Sequence, residues 1–466
     1  MSRPAEVFSP LIVGAGPAGI RAAQTLVQAG VRPIVLDESL RAGGQIYRQP
    51  PPGFTRSKQT LYGTEYRKAD ALHRTMDALA GQIDYRPGTL VWNADRSNLD
   101  VIRDGVVDNV SYSHLILATG ATDRVLPFPG WTTPGVYTLG GAQVALKYQG
   151  CAIGARVVFM GTGPLLYLVA YQYKKAGADV VAVLDTSGRA DGLAGLPGMM
   201  RAPSLLAKGL YYMAWLRTHG VQIHTNVRPM AVKGANKVSA LQYRLRGQTT
   251  PHTLTCDAVG YGLGLRSETQ LASLLNCAFD YDTQDRAWLP RRDAAGRTSV
   301  AGIYVAGDGA GIAGADAAEI AGERAALALL ADAQYPSDAR RAAMLDTRLQ
   351  QIGRVRAALE RAFPFPSDWA GELDDDVMLC RCEEITAGTV RQAALELGAH
   401  ELNRLKALTR VGMGRCQGRM CAAGATEVLA HALHQRPDAV GRIRSQPPVK
   451  PIPIAVIRAD AREVEL

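Results

Sequence analysis

The first forty residues alternate apolar and polar positions in an order that predicts strand, turn, helix and strand. In "LIVGAGPAGIRAAQTLVQAGVRPIVLDE", an apolar run at 11–13 leads into a glycine-rich turn. Apolar residues then recur at helical spacing at 20, 23 and 27, and a second apolar run at 33–36 ends in acidic residues. This is the pattern of a βαβ unit, so we expect the chain to open with a parallel sheet.

The turn of this unit has the glycine spacing of a dinucleotide-binding loop. Gly14 would allow the tight turn, Gly16 the approach of a pyrophosphate to the backbone, and Gly19 close contact between helix and strand. The pyrophosphate would rest on the N-terminus of the helix. The predicted contacts of this loop are Gly14, Gly16, Pro17, Ala18 and Gly19.

The acidic end of the second strand predicts a ribose contact. Asp37 and Glu38 both lie at the expected distance beyond the first glycine, and either carboxylate can accept a hydrogen bond from a ribose hydroxyl. We place Asp37 first. The alternative is a glycine-rich turn without a ligand, and the complete strand–helix–strand–acid order argues against it.

Two later strand ends favour FAD over NAD at this site. "SHLILATGA" is a strand that ends in Thr119 and Gly120. "GIYVAGDGAGIAGADAAEIAGERAALALL" is a strand, a turn with Gly307 and Asp308, and a long helix of small residues. Asp308 can hydrogen-bond the ribityl chain, or the pyrophosphate through water. The helix N-terminus, near Ala315, can direct its positive end at the N1/O2 side of the flavin.

In this order the three motifs resemble the superfamily of flavoproteins with two dinucleotide-binding domains, which includes glutathione and thioredoxin reductases. "RAGGQIYR" adds a second glycine pair where that superfamily runs its chain past the flavin. The resemblance extends the predicted FAD contacts to Gly43, Gly44 and Gln45.

A second copy of the pattern lies between the FAD motifs. "ARVVFMGTGPLLYLVAYQYKKAGADVVAVLDTSGR" keeps Gly161 and Gly163 and ends its second strand in Asp185, but Leu166 replaces the third glycine. A side chain there prevents the close helix–strand contact. The superfamily uses this domain for NAD(P)H, so Leu166 puts NAD(P) binding in doubt. We expect a domain kept for architecture and subunit contact.

Beyond residue 335 the pattern changes to helices. Apolar residues recur every three to four positions between 345 and 363, which predicts an amphipathic helix over 337–363. "FPFPSDWAGELDDD" predicts an acidic linker. A small domain follows, with helices expected after Thr386 and in "HELNRLKAL". The stretch "QPPVKPIPI" is predicted to be an extended arm over a neighbouring surface.

Composition describes a globular protein of 466 residues, 47% hydrophobic, with a formal net charge of +9. No dense Lys/Arg block with interleaved aromatics is present, so nucleic-acid binding is not expected. No apolar run is long enough to predict a transmembrane helix. The first apolar run enters a glycine motif rather than a signal-peptide cleavage site, and the cysteines show no disulfide framework. We therefore expect a cytoplasmic protein, with peripheral association at the inner membrane left open.

Four of the seven cysteines form two close pairs near the C-terminus. Cys380 and Cys382 are separated by one residue, and Cys416 and Cys421 by four. Four thiolates can bind zinc or an iron–sulfur cluster. Structural zinc usually takes Cys-x-x-Cys knuckles, whereas these spacings suit a broader group with two irons. Zinc and unliganded thiols are the alternatives.

"CRCEEIT…LKALTRVGMGRCQGRMC" resembles the bacterioferritin-associated-ferredoxin-type [2Fe–2S] domain, and the resemblance implies a [2Fe–2S] cluster on all four cysteines. Arg415 and Arg419 flank the thiolates and can offset the negative charge of the cluster, which would raise its reduction potential. Their alternative role is that of solvated surface arginines. No Cys-x-x-Cys lies beside either glycine motif, so disulfide reduction is not expected.

An FAD domain, a degenerate nicotinamide domain and this cysteine module together resemble the FAD-type A (alpha) subunit of heteromeric bacterial amine and amino-acid dehydrogenases. That group includes octopine and nopaline oxidase, hydrogen cyanide synthase and D-hydroxyproline dehydrogenase, and "GGQIYRQPPPGF" favours its opine and hydroxyproline branch. The resemblance implies that the substrate is oxidised on a second, D-amino-acid-oxidase-like FAD subunit (beta). This chain would pass electrons through FAD and [2Fe–2S] to a quinone or another carrier. The group also implies FMN at a subunit interface and, often, a small ferredoxin-like subunit (gamma).

Two other functions stay open. One is a self-contained NAD(P)H-dependent flavoprotein reductase that passes electrons through its cluster to a protein acceptor. The other is a non-catalytic scaffold with structural zinc. No His/Asp or Lys group identifies a proton-abstracting residue, so no catalytic residue is assigned.

The expected fold class is α/β, with two Rossmann-like dinucleotide-binding domains of the glutathione/thioredoxin reductase type and a small helical [2Fe–2S] domain. We predict an FAD-binding domain at 1–130 and 270–335 and the second Rossmann-like domain at 140–265. A helix and linker at 336–376, the [2Fe–2S] domain at 377–435 and an extended tail at 436–466 complete the chain.

Overall fold

The computed structural model describes residues 8–51, 53–54 and 56–454. Strands and helices alternate up to residue 332, and helices predominate beyond it. The strands are β1 Pro10–Val13, β2 Ile34–Asp37, β3 Asp84–Pro87, β4 Thr89–Ala94, β5 Asn98–Arg103, β6 Val106–Ser111, β7 His114–Leu117, β8 Ala121–Asp123, β9 Val136–Thr138, β10 Arg156–Thr162, β11 Asp179–Asp185, β12 Gln222–His224, β13 Val227–Lys233, β14 Ala240–Leu245, β15 His252–Thr255, β16 Ala258–Leu263, β17 Leu265–Ser267, β18 Phe279–Asp282, β19 Ala287–Pro290, β20 Ile303–Val305, β21 Met378–Cys380 and β22 Ile385–Thr386. The helices are α1 Pro17–Gln28, α2 Lys58–Tyr62, α3 Tyr66–Ala78, α4 Leu139–Val144, α5 Pro164–Lys175, α6 Arg189–Met199, α7 Pro203–Thr218, α8 Gln270–Leu274, α9 Ala315–Asp332, α10 Ala339–Ala362, α11 Trp369–Glu372, α12 Ala387–Leu395, α13 Leu402–Thr409 and α14 Ala422–Ala432.

The N-terminal βαβ unit lies at the centre of a five-stranded parallel sheet. The strand order is β20-β7-β1-β2-β3, and β1 is buried along its whole length. Helices α1 and α9 pack closely: a Cβ built on Gly322 of α9 would lie only 2.0 Å from the carbonyl oxygen of Ala18. The small residues of α9 therefore allow its backbone to touch the start of α1.

The second copy of the pattern forms its own five-stranded parallel sheet, in the order β12-β11-β10-β16-β9. The chain enters and leaves this domain through β8 and β17, which pair antiparallel with Ala121 opposite Ser267. Each domain also carries a three-stranded antiparallel sheet, β4–β6 in the first and β13–β15 in the second. This arrangement confirms the predicted α/β class with two dinucleotide-binding units.

Helices α6 and α7 follow β11 in the second domain and have an unusual orientation. A Cβ built on Gly195 would lie 2.6 Å from Cβ of Ala362, so α6 presents its glycines to α10. The large apolar side chains face outward: Leu193 is 68% exposed, Met200 66% and Leu210 54%. We call this exposed surface of α6 and α7 the apolar face.

Helix α10 confirms the amphipathic helix predicted over 337–363. Beyond it, two tryptophans connect the C-terminal domain to the segment between β8 and β9. Trp369 Nε1 donates a hydrogen bond to the Pro127 carbonyl at 2.7 Å, and Trp131 Nε1 donates one to the Met378 carbonyl at 2.7 Å. The predicted linker is therefore packed rather than free.

The described part of the predicted arm lies on the FAD-binding domain. The N–H of Val449 donates to the Trp92 carbonyl at 2.9 Å, and Val449 is buried. Residues 455–466 of the predicted tail, and residues 1–7 of the predicted first domain, lie outside the described residues. Within the described ranges, no helix combines the length and apolarity needed to cross a bilayer.

Candidate functional site

The first glycine loop lies at the carboxyl end of β1, and its own packing requires two of its glycines. Gly14 has a φ of +106°, and a Cβ there would lie 2.3 Å from the Ala118 carbonyl oxygen. A Cβ on Gly19 would lie 1.8 Å from the Gly14 carbonyl oxygen. The contact of the loop with the end of β7 and with α1 therefore excludes any side chain at either position.

Gly16 has no such internal reason to be glycine. Its φ is −82°, and the atom nearest to a Cβ built there is the Cα of Gly44 at 3.6 Å, an ordinary contact. Helix α1 begins at Pro17, and no side chain caps its N-terminus. Open space beside uncapped backbone N–H groups suits a pyrophosphate, so the residues present fit FAD in the predicted orientation.

Other predicted contacts approach the same loop. A Cβ on Gly44 would lie 2.9 Å from the Cα of Gly16, and one on Gly307 would lie 2.9 Å from Cβ of Ala18. The carboxyl ends of parallel strands meet at one edge of the sheet, and the predicted residues follow these ends. They are Gly14, Gly16, Pro17, Ala18, Gly19, Asp37, Glu38, Gly43, Gly44, Gln45, Thr119, Gly120, Gly307, Asp308 and Ala315.

The two candidate ribose acids have different surroundings. Asp37 accepts hydrogen bonds from the N–H groups of Ala15 at 2.5 Å and Ser39 at 2.7 Å, and its burial raises the pKa of the carboxyl. Glu38 is exposed and forms an ion pair with Lys450 of the arm. Asp37 therefore connects β2 to the glycine loop, while Glu38 faces outward. The ribose contact stays a prediction for both residues.

Asp308 organises the start of α9. One carboxylate oxygen accepts hydrogen bonds from the N–H groups of Ala313 and Gly314, both at 2.9 Å. Burial raises the pKa of Asp308, and these two hydrogen bonds oppose that effect. Gly314 has a φ of +88°, and a Cβ there would meet nothing within 4 Å. The turn thus opens the N-terminus of α9 at Ala315 to free space, as a flavin contact requires.

The second glycine loop differs at its third glycine position and in the surroundings of its acid. Leu166 is fully buried in the core of its domain. Asp185, the acid at the end of β11, accepts hydrogen bonds from the Tyr167 hydroxyl at 2.6 Å and from the Ser187 N–H at 2.9 Å. Burial raises the pKa of Asp185. Both carboxylate oxygens accept hydrogen bonds from the protein, as those of Asp37 do in the first domain, and Asp185 differs in also binding a tyrosine hydroxyl.

The four C-terminal cysteines come together from two loops. Cys380 and Cys382 lie at the turn between β21 and β22, and Cys416 and Cys421 lie in the loop before α14. Consecutive thiol contacts run from Cys380 to Cys421, from Cys421 to Cys416, and from Cys416 to Cys382. All seven cysteines of the chain have free thiols.

Backbone N–H groups surround two of these sulfurs. The hydrogen bond from Cys421, together with the N–H groups of Gly412, Glu383 and Cys382, lowers the pKa of Cys380 to about 6 against the opposing effect of burial. Cys421 likewise lowers the pKa of Cys416, and the pKa of Cys421 itself is raised by sharing its proton with both. The environment therefore favours the thiolate, which is the metal-binding form of cysteine, at Cys380 and Cys416, whereas burial raises the pKa of Cys382.

A glycine that the sequence does not mark brings the two loops together. A Cβ built on Gly414 would lie 2.3 Å from Cβ of Cys382. Any larger residue would separate Cys382 from Cys416. Within the described parts of the chain, no three or more His, Cys, Asp or Glu side chains form a group that could hold a metal ion, so the four thiols form a series of contacts rather than a ring around one point.

The cysteine loop is bound to the junction between the two dinucleotide domains. Arg419 forms an ion pair with Glu268 at 2.7 Å, and the backbone of Glu268 contacts the FAD site. The Thr119 hydroxyl donates to the Glu268 carbonyl at 2.6 Å, and the Glu268 N–H donates to the Gly120 carbonyl at 2.9 Å. Two predicted FAD residues and the cysteine loop therefore share one residue.

Two further side chains of the junction reach the same loop. Arg266 Nη1 donates to the carbonyls of Gly418 at 3.2 Å and Arg419 at 3.1 Å, and Gln270 donates to the Gln417 carbonyl at 2.8 Å. Sequence reasoning missed these residues and Glu268, because they lie about 150 positions before the cysteines and belong to no motif. Arg415, in contrast, is exposed.

Comparison with known proteins agrees with this geometry. Residues 8–325 match the family described as pyridine nucleotide-disulphide oxidoreductase. The chain belongs to the pyridine nucleotide-disulphide oxidoreductase family. Residues 378–461 match a second family, the sarcosine oxidase A3 domain. Membership of the first family implies FAD binding, and the protein is an FAD-dependent oxidoreductase.

Relatives within this family match almost the whole chain. The A subunit of opine oxidase from Agrobacterium tumefaciens (strain Ach5) is 37% identical over 469 residues, which cover 97% of this chain and 91% of the relative. The HcnB subunit of hydrogen cyanide synthase from Pseudomonas aeruginosa is 33% identical over 467 residues, covering 96% and 98%. These relatives confirm the predicted likeness to subunits of opine oxidase and hydrogen cyanide synthase.

Solved structures support the fold alone. L-proline dehydrogenase from P. horikoshii superposes with a TM-score of 0.71 at 19% identity, covering 97% of this chain and 81% of that one. Thioredoxin reductase from T. acidophilum gives a TM-score of 0.52 at 22% identity, covering 70% and 99%. The match to the reductase therefore leaves part of this chain uncovered.

Proposed function

We propose that this protein is the flavin- and [2Fe–2S]-containing electron-transfer subunit of a heteromeric dehydrogenase or oxidase. The complex oxidises a C–N bond of an amino acid, imino acid or opine, of the D-hydroxyproline or octopine/nopaline type. Substrate oxidation takes place on a D-amino-acid-oxidase-like FAD subunit, and electrons leave towards a quinone or respiratory carrier. FMN at the subunit interface and a small ferredoxin-like subunit are the further components of this proposal.

The relatives support the heteromeric part of the proposal. They are named as subunits of opine oxidase and of hydrogen cyanide synthase, and they align over nearly their full lengths. A 199-residue match at 31% identity connects the chain to the alpha subunit of sarcosine oxidase from Rhizobium meliloti (strain 1021). Opines and sarcosine, the compounds that two of these names print, each contain a C–N bond.

The observation that carries the redox part is the series of contacts from Cys380 through Cys421 and Cys416 to Cys382. The Cys-x-Cys and Cys-x4-Cys spacings differ from the Cys-x-x-Cys knuckles usual for structural zinc, which supports two irons over one tetrahedral zinc. Backbone N–H groups directed at Cys380 and Cys416 are the usual surroundings of cluster sulfurs. Bound FAD supplies two-electron exchange and the cluster one-electron transfer.

The chain's own residues support transfer between these two sites. Glu268 accepts the Thr119 hydroxyl at its carbonyl and binds Arg419 through its carboxylate, so the flavin edge and the cysteine loop are held at a fixed separation. In the second dinucleotide domain Leu166 replaces the third glycine and the Tyr167 hydroxyl binds the acid Asp185, so the domain departs from the usual nicotinamide-binding pattern. This favours reduction by another subunit over reduction by NAD(P)H.

The apolar face supports assembly with a protein subunit. Its leucines and methionine face outward along two successive helices, although α6 buries glycines and α7 buries Tyr212 and Leu216 on the inner side. A helix that lies in a membrane interface has a strongly charged opposite side, and α6 and α7 lack one. The interfaces between obligate subunits are apolar and resemble a domain core that has been divided in two. Three exposed arginines lie at or near the ends of α6 and α7: Arg189, Arg201 and Arg217. We expect carboxylates opposite them on the subunit that covers the apolar face.

The proposal is tested on the complex as purified from its native cells. We expect iron and acid-labile sulfide at about two atoms each per chain in the wild type. Cys416→Ser should abolish the cluster absorbance and the EPR signal of the reduced protein while FAD stays bound. Cys151→Ser, which changes an exposed thiol far from the site in sequence, is the matched control.

Two results would contradict the proposal. One is zinc in place of iron, with no absorbance beyond the flavin bands. The other is rapid bleaching of the flavin in the isolated chain by NADH or NADPH under argon, which would identify the self-contained reductase instead. Dye reduction with opines, hydroxyproline isomers, proline, sarcosine and glycine then identifies the substrate.

A further inference from the structure

Arg266 is a cation from outside the cysteine domain that is directed into the cysteine loop. It lies on β17, at the junction of the two dinucleotide domains, and its two hydrogen bonds go to the carbonyls of Gly418 and Arg419. Both acceptors are neutral, so neither hydrogen bond cancels the charge of the guanidinium. The negative partner of the Arg266 guanidinium must therefore be another group.

The carboxylate closest in sequence does not fill that role alone. Glu268 forms its ion pair with Arg419, so one carboxylate faces two arginines at this place. Removal from bulk water lowers the pKa of Arg266, and Glu268, Cys421 and Cys416 are the anionic groups that act against this. Two of these three groups are cysteines of the four-thiol site.

We propose that Arg266 is the positive counter-charge of the [2Fe–2S] cluster and sets its reduction potential. The inference rests on the proposed function, since it needs a cluster on the four cysteines. Reduction adds one electron, delivered from the flavin, and therefore one negative charge to the cluster. A fixed cation beside Cys416 and Cys421 stabilises the reduced form more than the oxidised form.

The placement of Arg266 distinguishes it from the two arginines that flank the cysteines in sequence. Arg419 is neutralised by Glu268, and Arg415 is exposed to solvent, where water screens its charge. Arg266 alone of the three combines a position away from bulk water with acceptors that carry no charge. Of the three arginines, the one that sets the cluster potential is therefore Arg266, which lies on the junction strand β17.

The test is a potentiometric EPR titration of the holo complex carrying Arg266→Gln, Arg266→Lys or Arg415→Gln. Gln keeps an N–H donor for the two carbonyls and removes the charge, while Lys keeps the charge. We expect Arg266→Gln to lower the cluster potential by about 59 mV, which is a tenfold change in a one-electron equilibrium. Arg266→Lys should lower it by less than half of that, and Arg415→Gln should leave it unchanged. The FAD potential should not move in any of the three.

Each outcome decides the question. An unchanged potential in Arg266→Gln, or equal losses in the Gln and Lys variants, would overturn the role of the charge. The same fall in Arg415→Gln would show that any nearby surface charge suffices, which also overturns it. If Arg266→Gln fails to take up iron, retention of the cluster by Arg266→Lys supports the proposal, and failure of both assigns Arg266 a purely structural role. Wild-type protein without iron would instead overturn the proposed function itself.

Discussion

The two dinucleotide-binding domains share one topology but differ in their glycine loops. In the first, the ligand-facing glycine Gly16 has open space before it, although nothing in the protein requires a glycine there. In the second, Leu166 fills the core, and Asp185 is bound by Tyr167 of the same helix. The equivalent of Gly16 in the second loop, Gly163, also has open space before it. The two loops therefore differ at the third glycine position, where Gly19 permits close contact of helix and strand and Leu166 fills the core instead.

The second domain also carries two surfaces that contribute contacts outside its own core. Between β11 and β12 it carries α6 and α7, whose apolar face has no covering within the described chain. Its junction strand β17 carries Arg266 and leads into Glu268, which contact the cysteine loop. We therefore propose that a duplicated nucleotide domain serves here as an assembly and coupling element.

The largest expected effect comes from Gly16→Val. The substitution places a side chain where the pyrophosphate approaches the loop, so the purified variant should retain less than about one tenth of the wild-type FAD. Because Gly16 has an ordinary φ and open surroundings, thermal unfolding of the apoprotein should change by less than about 1 kcal/mol. Flavin absorbance after gel filtration measures the first effect and calorimetry the second.

The matched control for that variant is Gly163→Ala in the second loop. It should lose about 1–3 kcal/mol of stability through its positive φ, yet keep full FAD. A Gly16→Val protein that stays yellow at full stoichiometry would remove the distinction between the two loops.

The next effect is on assembly. Met200→Asp combined with Leu210→Asp places two charges in the apolar face and should weaken binding of the second subunit by at least about thirtyfold, or 2 kcal/mol. Val106→Asp, at a position 65% exposed on the β6 strand of the first domain, should leave the complex intact. Analytical size exclusion of the tagged complex gives the readout, and an unaltered elution profile for the double variant would show that the face is not the contact.

Leu166→Gly restores the third glycine of the second loop. Loss of a buried leucine and introduction of a helical glycine should cost roughly 3–6 kcal/mol in the free energy of unfolding. NADH oxidation should not appear, because Asp185 is still engaged by Tyr167. Leu166→Met, which conserves volume, should cost less than about 1.5 kcal/mol. Rapid flavin reduction by NADH in the glycine variant would show that one side chain alone had closed the site.

The smallest effect is the pH dependence caused by Asp185. Burial raises the pKa of this carboxyl above its unfolded value, so its favourable contribution is present at low pH and declines as pH rises through the folded pKa. Asp185→Asn should remove this decline in the range above about pH 4. Tyr167→Phe removes a hydrogen bond that lowers the pKa, so it should steepen the decline and cost about 1 kcal/mol at neutral pH. Urea unfolding at several pH values measures both, with Tyr211→Phe as an exposed control.

The sequence could predict those parts that depend on local spacing. The glycine loop, the ends of β1 and β2 and the amphipathic α10 follow from periodicity and turn chemistry, and the structure has them where the patterns place them. Leu166 likewise revealed the difference between the two loops. Each of these signals lies within a window of about 30 residues, the size of one βαβ unit.

Long-range partners could not be predicted in the same way. Arg266 and Glu268 act on a loop about 150 positions later, and their role appears only when β17 pairs with β8. Gly414 is one of 48 glycines, and only its distance from Cys382 distinguishes it. The outward position of the α6 leucines has no local signal, because it depends on α10 contacting the glycines of the same helix. Contacts between distant segments are set by packing, which leaves no local pattern.

The reciprocal tryptophan contacts, Trp369 to Pro127 and Trp131 to Met378, have a consequence for kinetics. An indole donor on each side fastens the last domain to the body of the molecule, so this module cannot travel on a flexible tether as a shuttling carrier does. Electrons that pass between its thiols and the rest of the chain must therefore cross a distance that is fixed when the polypeptide folds. Turnover that is insensitive to solvent viscosity is the behaviour expected of such a rigid arrangement.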